Sequence, residues 1–349
     1  VPTVETKNSP VAPETPVTLG TPSHGRLLGV TLLALFVSTS LTALKFWGYR
    51  ITSSQAVYSD FLESIVNIVA GVIAVFVVRF AAKPADREHP YGHGKIEYFS
   101  AAFEGGLIAF AAVMIFIEAI PALLGGSKIQ HISDGAVIVL GCGLVNLILG
   151  YALLKIGKKH GSPALIANGI HIQSDFITSA GVTIGLVLAS VTGFVWLDPV
   201  VAMVVGIHLA WTGLKVVRRS VGGLLDEEDR EILAAFAEKL GKIDFGGVIQ
   251  IHHTRIIRSG RFHHIDAHAV VPEYWDVAEA HEKTESFEAR LLRYYDQPGE
   301  LHLHVDPCRR VYCRQCPDEK CPIRSNKFES RLVPDLESLI SPEEPEDFR

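Results

Sequence analysis

The sequence predicts an α-helical membrane protein with six transmembrane helices, followed by a small soluble α+β domain. Three observations lead there. Hydrophobic residues make up 48% of the 349 positions, too many for an ordinary soluble chain. Six apolar segments are each long enough to cross a hydrocarbon core of about 30 Å, which takes around 20 helical residues. The charge then changes sign along the chain: residues 1–225 hold 15 basic and 12 acidic side chains, and residues 226–349 hold 17 and 26. The formal net charge of −6 argues against a nucleic-acid partner, which draws a basic excess.

Residues 1–24 are rich in Pro, Thr and Glu without an apolar period and read as a disordered arm. The first apolar run is too long, and too poor in a small-residue cleavage pattern, for a signal peptide. The six-helix domain is expected over 25–222, with spans near 27–50, 56–80, 99–124, 132–156, 164–191 and 195–217, the fifth the least apolar. Basic residues cluster in alternate loops: Arg79, Lys83, Arg87 and Lys95 after the second span, Lys155, Lys158 and Lys159 after the fourth, and Lys215, Arg218 and Arg219 closing the sixth. That bias places both termini in the cytoplasm. Residues 227–241 have the period of an amphipathic helix. Residues 247–257 and 261–271 alternate like strands about a turn at Ser259–Gly260. A second helix over 276–295 and a strand at Leu301–Val305 complete an α-β-β-α-β order, with helices on one face of a sheet. Gly141-Cys142-Gly143 reads as close helix packing, with Cys142 a small core residue. The acidic tail from Ser341 is expected to be disordered.

Charge inside a membrane is costly and is usually functional. The second span carries Asp60, Glu63 and Asn67, and the fifth carries His171 and Asp175. Glu63/Asn67 and His171/Asp175 are both i,i+4 pairs, so each pair lies on one helix face. Two such helices facing each other offer four ligands to one divalent ion in a tetrahedral arrangement, as Zn²⁺ prefers. Glu104 in the third span is placed to reach the same cavity or to pair with a basic loop residue. Glu118 reads as solvated near the far interface, and Asn146 as a helix–helix hydrogen bond. The loop after the second span offers Asp86, His89 and His93, good ligands for a borderline ion; the same residues also suit a plain hydrated loop.

At these motifs the chain resembles the cation diffusion facilitator family of divalent-metal transporters, over roughly residues 25–307. The resemblance rests on Glu63-Ser-Ile-Val-Asn67, on His171-Ile-Gln-Ser-Asp175, on His89-Pro-Tyr-Gly-His93-Gly-Lys95 and on Leu303-His304-Val305-Asp306-Pro307. It implies a six-helix membrane domain and a ferredoxin-like cytoplasmic domain over 223–307, working as a homodimer in the lipid bilayer, in a plasma (inner) membrane. It implies export of divalent metal in exchange for protons. It assigns a transport site to Glu63, Asn67, His171 and Asp175, a loop site to Asp86, His89 and His93, and cytoplasmic ligands to His252, His268, His281, His304 and Asp306. It also sets Lys95 opposite Asp226 as a salt bridge between loop and linker. One position departs from the pattern: zinc-transporting relatives have an acidic residue where this chain has Asn67. The resulting donor set suits Fe²⁺, Mn²⁺ or Co²⁺ as well as Zn²⁺.

Residues 308–349 go beyond the resemblance. Cys308-x4-Cys313-x2-Cys316-x4-Cys321 supplies four thiols, enough for a structural Zn²⁺ site. An iron–sulfur cluster takes the same number of ligands, and a redox dithiol is a third reading. Three functions follow from the whole: a proton-coupled exporter, a membrane metal sensor that binds without transport, and a membrane-anchored enzyme. The chain has no Gly-x-Ser-x-Gly, no phosphate-binding Walker loop and no His-Glu-x-x-His, so the exporter leads and an enzyme is not expected.

Overall fold

The computed structural model describes residues 24–52, 55–125, 135–194, 196–331 and 334–342. Residues 1–23 of the expected N-terminal arm and residues 343–349 of the acidic tail lie outside the described residues, as do the side chains of Asp60, Glu63 and Glu118; His24, expected in the arm, opens the first helix.

Six long helices come first: α1 His24–Thr52, α2 Gln55–Ala81, α3 Ile96–Gly125, α4 Gly135–His160, α5 Pro163–Thr192 and α6 Leu197–Leu224. Among the described residues, four contain stretches long and apolar enough to cross a membrane: Gly25–Trp47, Ile96–Pro121, Leu140–His160 and Pro199–Leu224. In α2 only the shorter Asn67–Ala81 is comparably apolar. Phe36, Phe76, Phe110, Ile148, Ile207 and Trp211 stand outward on the bundle, an apolar sheath suited to lipid rather than water.

Close helix packing is met at Gly143, and not at Gly141, of the expected pair. A Cβ on Gly141 would meet nothing, whereas one on Gly143 would press on the Phe176 ring of α5 at 3.1 Å. The tight crossings are at Gly105/Gly213, between α3 and α6, and at Gly150/Gly169, between α4 and α5. A Cβ on Gly213 would lie 2.7 Å from the Gly105 oxygen, and one on Gly169 2.9 Å from the Gly150 oxygen. Backbones approach this closely only where no side chain intervenes. Cys142 is buried as a small core residue.

The C-terminal domain runs α7 Arg230–Leu240, β1 Gln250–Ser259, β2 Phe262–Val271, α8 Val277–Tyr294 and β3 Gly299–Pro307, then a short 3-10 helix Arg310–Arg314 and α9 Leu336–Ile340. Asp229 and Asp276 cap α7 and α8, each accepting backbone N–H bonds from the first helical turn and satisfying donors the helix cannot. The sheet order is β1-β2-β3, with β1 and β2 antiparallel and β2 and β3 parallel. Ser259 pairs with Phe262, so Gly260 and Arg261 make the turn, one residue later than the sequence suggests. Gly260 takes φ +64, a left-handed value that glycine adopts without strain.

Alternation divides the sheet into two faces. Ile251, Ile265, Ala267, Ala269 and Leu301 pack under Phe236 of α7 and Phe287 of α8. The other face carries His252, His268, His304 and Asp306. Leu339 of α9 is wholly buried in the helix-side core. The sequence gives no sign of this, because five residues are too few to display a helical period.

Candidate metal centres

Within the bundle, α2 packs against α5, bringing Asn67, His171 and Asp175 together as buried polar residues. The Asn67 amide nitrogen donates to Asp175 Oδ2. Among the described residues, neither ring nitrogen of His171 has a hydrogen-bond partner, nor does the Asn67 amide oxygen. Buried polar atoms without partners are costly, and an imidazole and an amide oxygen beside a carboxylate are a donor set that could hold a cation. Glu63 sits one helical turn before Asn67, with its side chain outside the described residues. Glu104 is fully buried, and neither carboxylate oxygen has a hydrogen-bond partner. The expected pairing with a basic loop residue is therefore not formed among the described residues. Glu104 shares a face of α3 with Ala101, Ile108 and Ala112, and Ile108 packs against Ile170 of α5 and Leu209 of α6. That face turns inward, away from the loops.

The α2–α3 loop brings Asp86, His89 and His93 into one group whose candidate ligand atoms all lie within 4.8 Å of one another. Asp86 faces His89 Nδ1 and His93 Nε2 at 3.4 Å each. The backbone N–H of His89 donates to Asp86 at 2.7 Å and that of Glu88 at 3.0 Å. These bonds, the His89 one foremost, hold the Asp86 carboxyl below its ordinary range. The result is an ionised carboxylate between two imidazoles.

A second group of the same tightness joins His252, His268 and Asp306 on the open face of the sheet. Asp306 Oδ2 lies 2.8 Å from His268 Nδ1 and 3.4 Å from His252 Nε2. His304 stands at the rim, exposed, with Nε2 3.5 Å from Asp306 Oδ1. His281 is not brought to this group. It lies on α8, across the sheet, lining a groove of about 440 Å³ with Glu285, Glu288, Leu303 and Val305. The helix that carries it packs on the opposite face. The described residues contain these two tight groups; the four cysteines do not form a third. They are free thiols around one small cavity.

Two titratable residues of this domain were not singled out by sequence. His263 is buried, with Nδ1 2.6 Å from the Tyr295 hydroxyl. Burial, helped by the Arg258 charge, lowers it to about 4. An imidazole with a depressed folded pKa binds its proton more readily in the unfolded chain. Its contribution is fully present above about pH 6.5 and is lost as pH falls toward 4, about 3 kcal/mol in all. Glu288 is raised to about 7, chiefly by burial. Its contribution has the opposite sign, present below about pH 4.5 and lost as pH rises toward 7. Relative to wild type, His263→Gln is expected to make the domain more resistant to acid over this window, and Glu288→Gln less. Urea midpoints measured from pH 4.5 to 7 check this, and parallel curves for all three proteins would contradict it.

The loop group also touches the sheet domain. Lys95 and Asp226 form the expected salt bridge at 2.9 Å. Ser259 Oγ donates to the Tyr91 carbonyl at 3.1 Å, and Tyr91 meets the His264 ring edge-on at 5.1 Å. At the centre, Gly94 lies directly against Gly260: a Cβ on Gly260 would stand 2.8 Å from the Gly94 oxygen.

Comparison with known proteins agrees with this architecture. Residues 31–225 match the family described as the cation efflux transmembrane domain, and residues 227–308 match the cytoplasmic domain of cation efflux proteins. An uncharacterized transporter, sll1263, of Synechocystis sp. (strain ATCC 27184 / PCC 6803 / Kazusa) is 32% identical over 290 residues, 82% of this chain and 93% of the relative. The cation-efflux pump FieF of Yersinia pestis (strain Pestoides F) is 29% identical over 296 residues, 83% of this chain and 96% of the pump. FieF of Yersinia pseudotuberculosis serotype O:3 (strain YPIII) matches to the same extent.

Proposed function

The chain belongs to the cation diffusion facilitator family of cation-efflux proteins, and from that premise we propose that it is a homodimeric antiporter. It exports a divalent metal ion from the cytoplasm in exchange for protons. All six long helices span the bilayer in this reading, with both termini in the cytoplasm, and the membrane is the plasma (inner) membrane. The observation that carries the proposal is the buried Asn67–His171–Asp175 constellation between α2 and α5, whose imidazole has no partner among the described residues.

The ion is the cargo, held by Glu63, Asn67, His171 and Asp175. Binding requires His171 neutral and the carboxylates ionised, so loading releases protons and protonation releases metal. Imidazole is the group whose ordinary pKa lies nearest physiological pH. When the cavity opens outward, protons compete for His171 and Asp175 and displace the cargo. When it opens inward at lower proton activity, the site reloads. Rocking of helices between the two openings completes the cycle. The loop group Asp86/His89/His93 and the sheet group His252/His268/Asp306, with His304 at its rim, bind the same ions. They favour the arrangement in which loop and sheet domain stay docked.

Two carboxylates, one imidazole and one amide make a harder donor set than a histidine-rich one. Fe²⁺, Mn²⁺ and Co²⁺ therefore compete with Zn²⁺ as cargo. Asn67→Asp adds a negative charge and a stronger oxygen ligand. It is expected to raise zinc flux relative to iron several-fold in proteoliposomes loaded with each ion in turn. An unchanged zinc-to-iron ratio would sink the selectivity role of Asn67.

The completed group on the sheet favours a second reading, a metal sensor that binds without transport. The two readings separate cleanly: in a sensor the His268→Ala variant loses the metal response and Asp175→Ala does not.

A further inference from the structure

The C-terminal extension carries a feature that metal export does not use. The match to the cytoplasmic domain ends at residue 308, so Cys313, Cys316 and Cys321 lie outside it. From 308 to 342 the described regular structure is one five-residue 3-10 helix and the five-residue α9. A stretch this long with so little secondary structure needs other ties to hold a single conformation. One tie is apolar: Tyr312 and Cys316 pack on Ile249 and Val270, on the face of the sheet away from α7 and α8. That is also the face bearing His252, His268 and Asp306.

The thiols are the second tie. Cys308, Cys313, Cys316 and Cys321 all line one cavity of about 10 Å³, walled by Ile249, Pro272, Tyr312 and Ile323. Space of that size holds a single water at most. Two backbone N–H groups point at sulfur, Glu273 to Cys308 Sγ at 3.4 Å and Ser325 to Cys313 Sγ at 3.5 Å. Such donors orient and stabilise thiolate ligands. The Arg324 guanidinium donates to the carbonyls of Cys313, Cys316, Asp318 and Asn326 at 2.6–3.2 Å. It braces both turns that present cysteines and places a positive charge beside the sulfurs. Arg310, paired with Glu273 at 3.3 Å, lines the same cavity.

We propose that Cys308, Cys313, Cys316 and Cys321 form a tetrathiolate Zn²⁺ site that clasps the extension onto the open face of the sheet. The ion is structural and separate from the cargo. Soft sulfur ligands select zinc over the harder ions that suit the membrane site. The reaction is an exchange without redox change: four thiols give up four protons and one Zn²⁺ takes four sulfurs, leaving a site of net charge −2 next to Arg324. Zn–S bonds of about 2.3 Å put tetrahedral sulfurs about 3.8 Å apart. No three of the four sulfurs form a group within 4.8 Å, so loading draws the thiols inward over the cavity.

The test uses the full chain in detergent, with Asp175→Ala, His93→Ala and His268→Ala introduced together to empty the other centres. Dialysed against a chelator under reducing conditions, this parent is expected to retain about one zinc per protomer by elemental analysis. Cys313→Ser/Cys316→Ser in the same background is expected to retain none. Replacing zinc with Co²⁺ in the parent is expected to give the near-ultraviolet thiolate-to-cobalt charge-transfer band and the intense visible bands of a tetrahedral site. That reading does not depend on how the double variant folds. Iron with acid-labile sulfide in place of zinc would overturn the proposal in favour of a cluster. A mass lower by two hydrogens per cysteine pair would overturn it in favour of disulfides. Cobalt spectra without charge transfer would overturn it outright.

Discussion

Asp175→Ala is expected to abolish metal flux. The carboxylate is the one fully charged ligand among the described residues of the membrane site, and it accepts the Asn67 amide hydrogen bond. Without it the cavity keeps a neutral imidazole and a neutral amide, with Glu63 the remaining negative charge. Removing groups that merely orient metal ligands costs 10–100-fold in affinity or activity, so loss of a direct charged ligand is expected to cost at least about 100-fold. Asp175→Asn separates charge from volume, because it keeps the shape and removes the ionisation; it is expected to fail almost as completely. The measurement is initial metal uptake into proteoliposomes at matched protein content, with size-exclusion profiles checking the fold. Uptake within a few-fold of wild type in either variant would remove Asp175 from the transport site.

Gly94→Ala is expected to be nearly as damaging, although Gly94 touches no metal ligand atom. A Cβ there would overlap the Ser259 carbonyl, which belongs to backbone and cannot rotate aside. The α2–α3 loop and the β1–β2 turn must then separate. That breaks the Ser259–Tyr91 hydrogen bond and the Tyr91–His264 ring contact, leaving Lys95–Asp226 as an exposed ion pair worth 1 kcal/mol or less. Overpacking of a tight contact costs about 1–3 kcal/mol, enough to shift the docked population by roughly 5–150-fold. Hydrogen exchange is expected to rise across residues 86–94 and 256–264, and flux to fall at least about ten-fold. Metal binding by His252, His268 and Asp306 is expected to persist. Unchanged exchange in both segments would show that the contact does not couple loop to sheet.

How much of this was legible in the sequence depended on whether a signal is local. The paired i,i+4 spacings of Glu63/Asn67 and His171/Asp175 and the run from Asp86 to His93 can be read from a few adjacent residues. Asn67, His171 and Asp175 lie together, as do Asp86, His89 and His93. The order of α7, β1, β2, α8 and β3 follows from alternation and amphipathic period, with errors of a residue or two at the turn. Contacts made across the fold left no such mark. Leu339 completes a core begun a hundred residues earlier, and nothing in Leu336–Ile340 announces it. Backbones meet at Gly105/Gly213 and Gly150/Gly169, and Gly141 faces open space although Gly143 packs on Phe176, because a crossing is set by which helix lies opposite, not by glycine density. His281 shares a residue type with the sheet ligands but sits on the wrong face, since a helix between two strands must pack on one side or the other.

Metal is expected to leave through the Asn67–His171–Asp175 site in exchange for protons. The most direct measurement is proton movement itself, in proteoliposomes carrying a trapped pH indicator and no nucleotide. Zn²⁺, Fe²⁺, Mn²⁺ or Co²⁺ is added outside, with Asp175→Ala beside the wild type. The account predicts that at least one ion enters and drives a proton signal of opposite direction, that an imposed pH gradient accelerates it, and that both fluxes vanish together in Asp175→Ala. Metal bound by the wild type with no proton signal and no uptake of any of the four ions would contradict it, and would leave the sheet and loop groups as the working parts of a sensor.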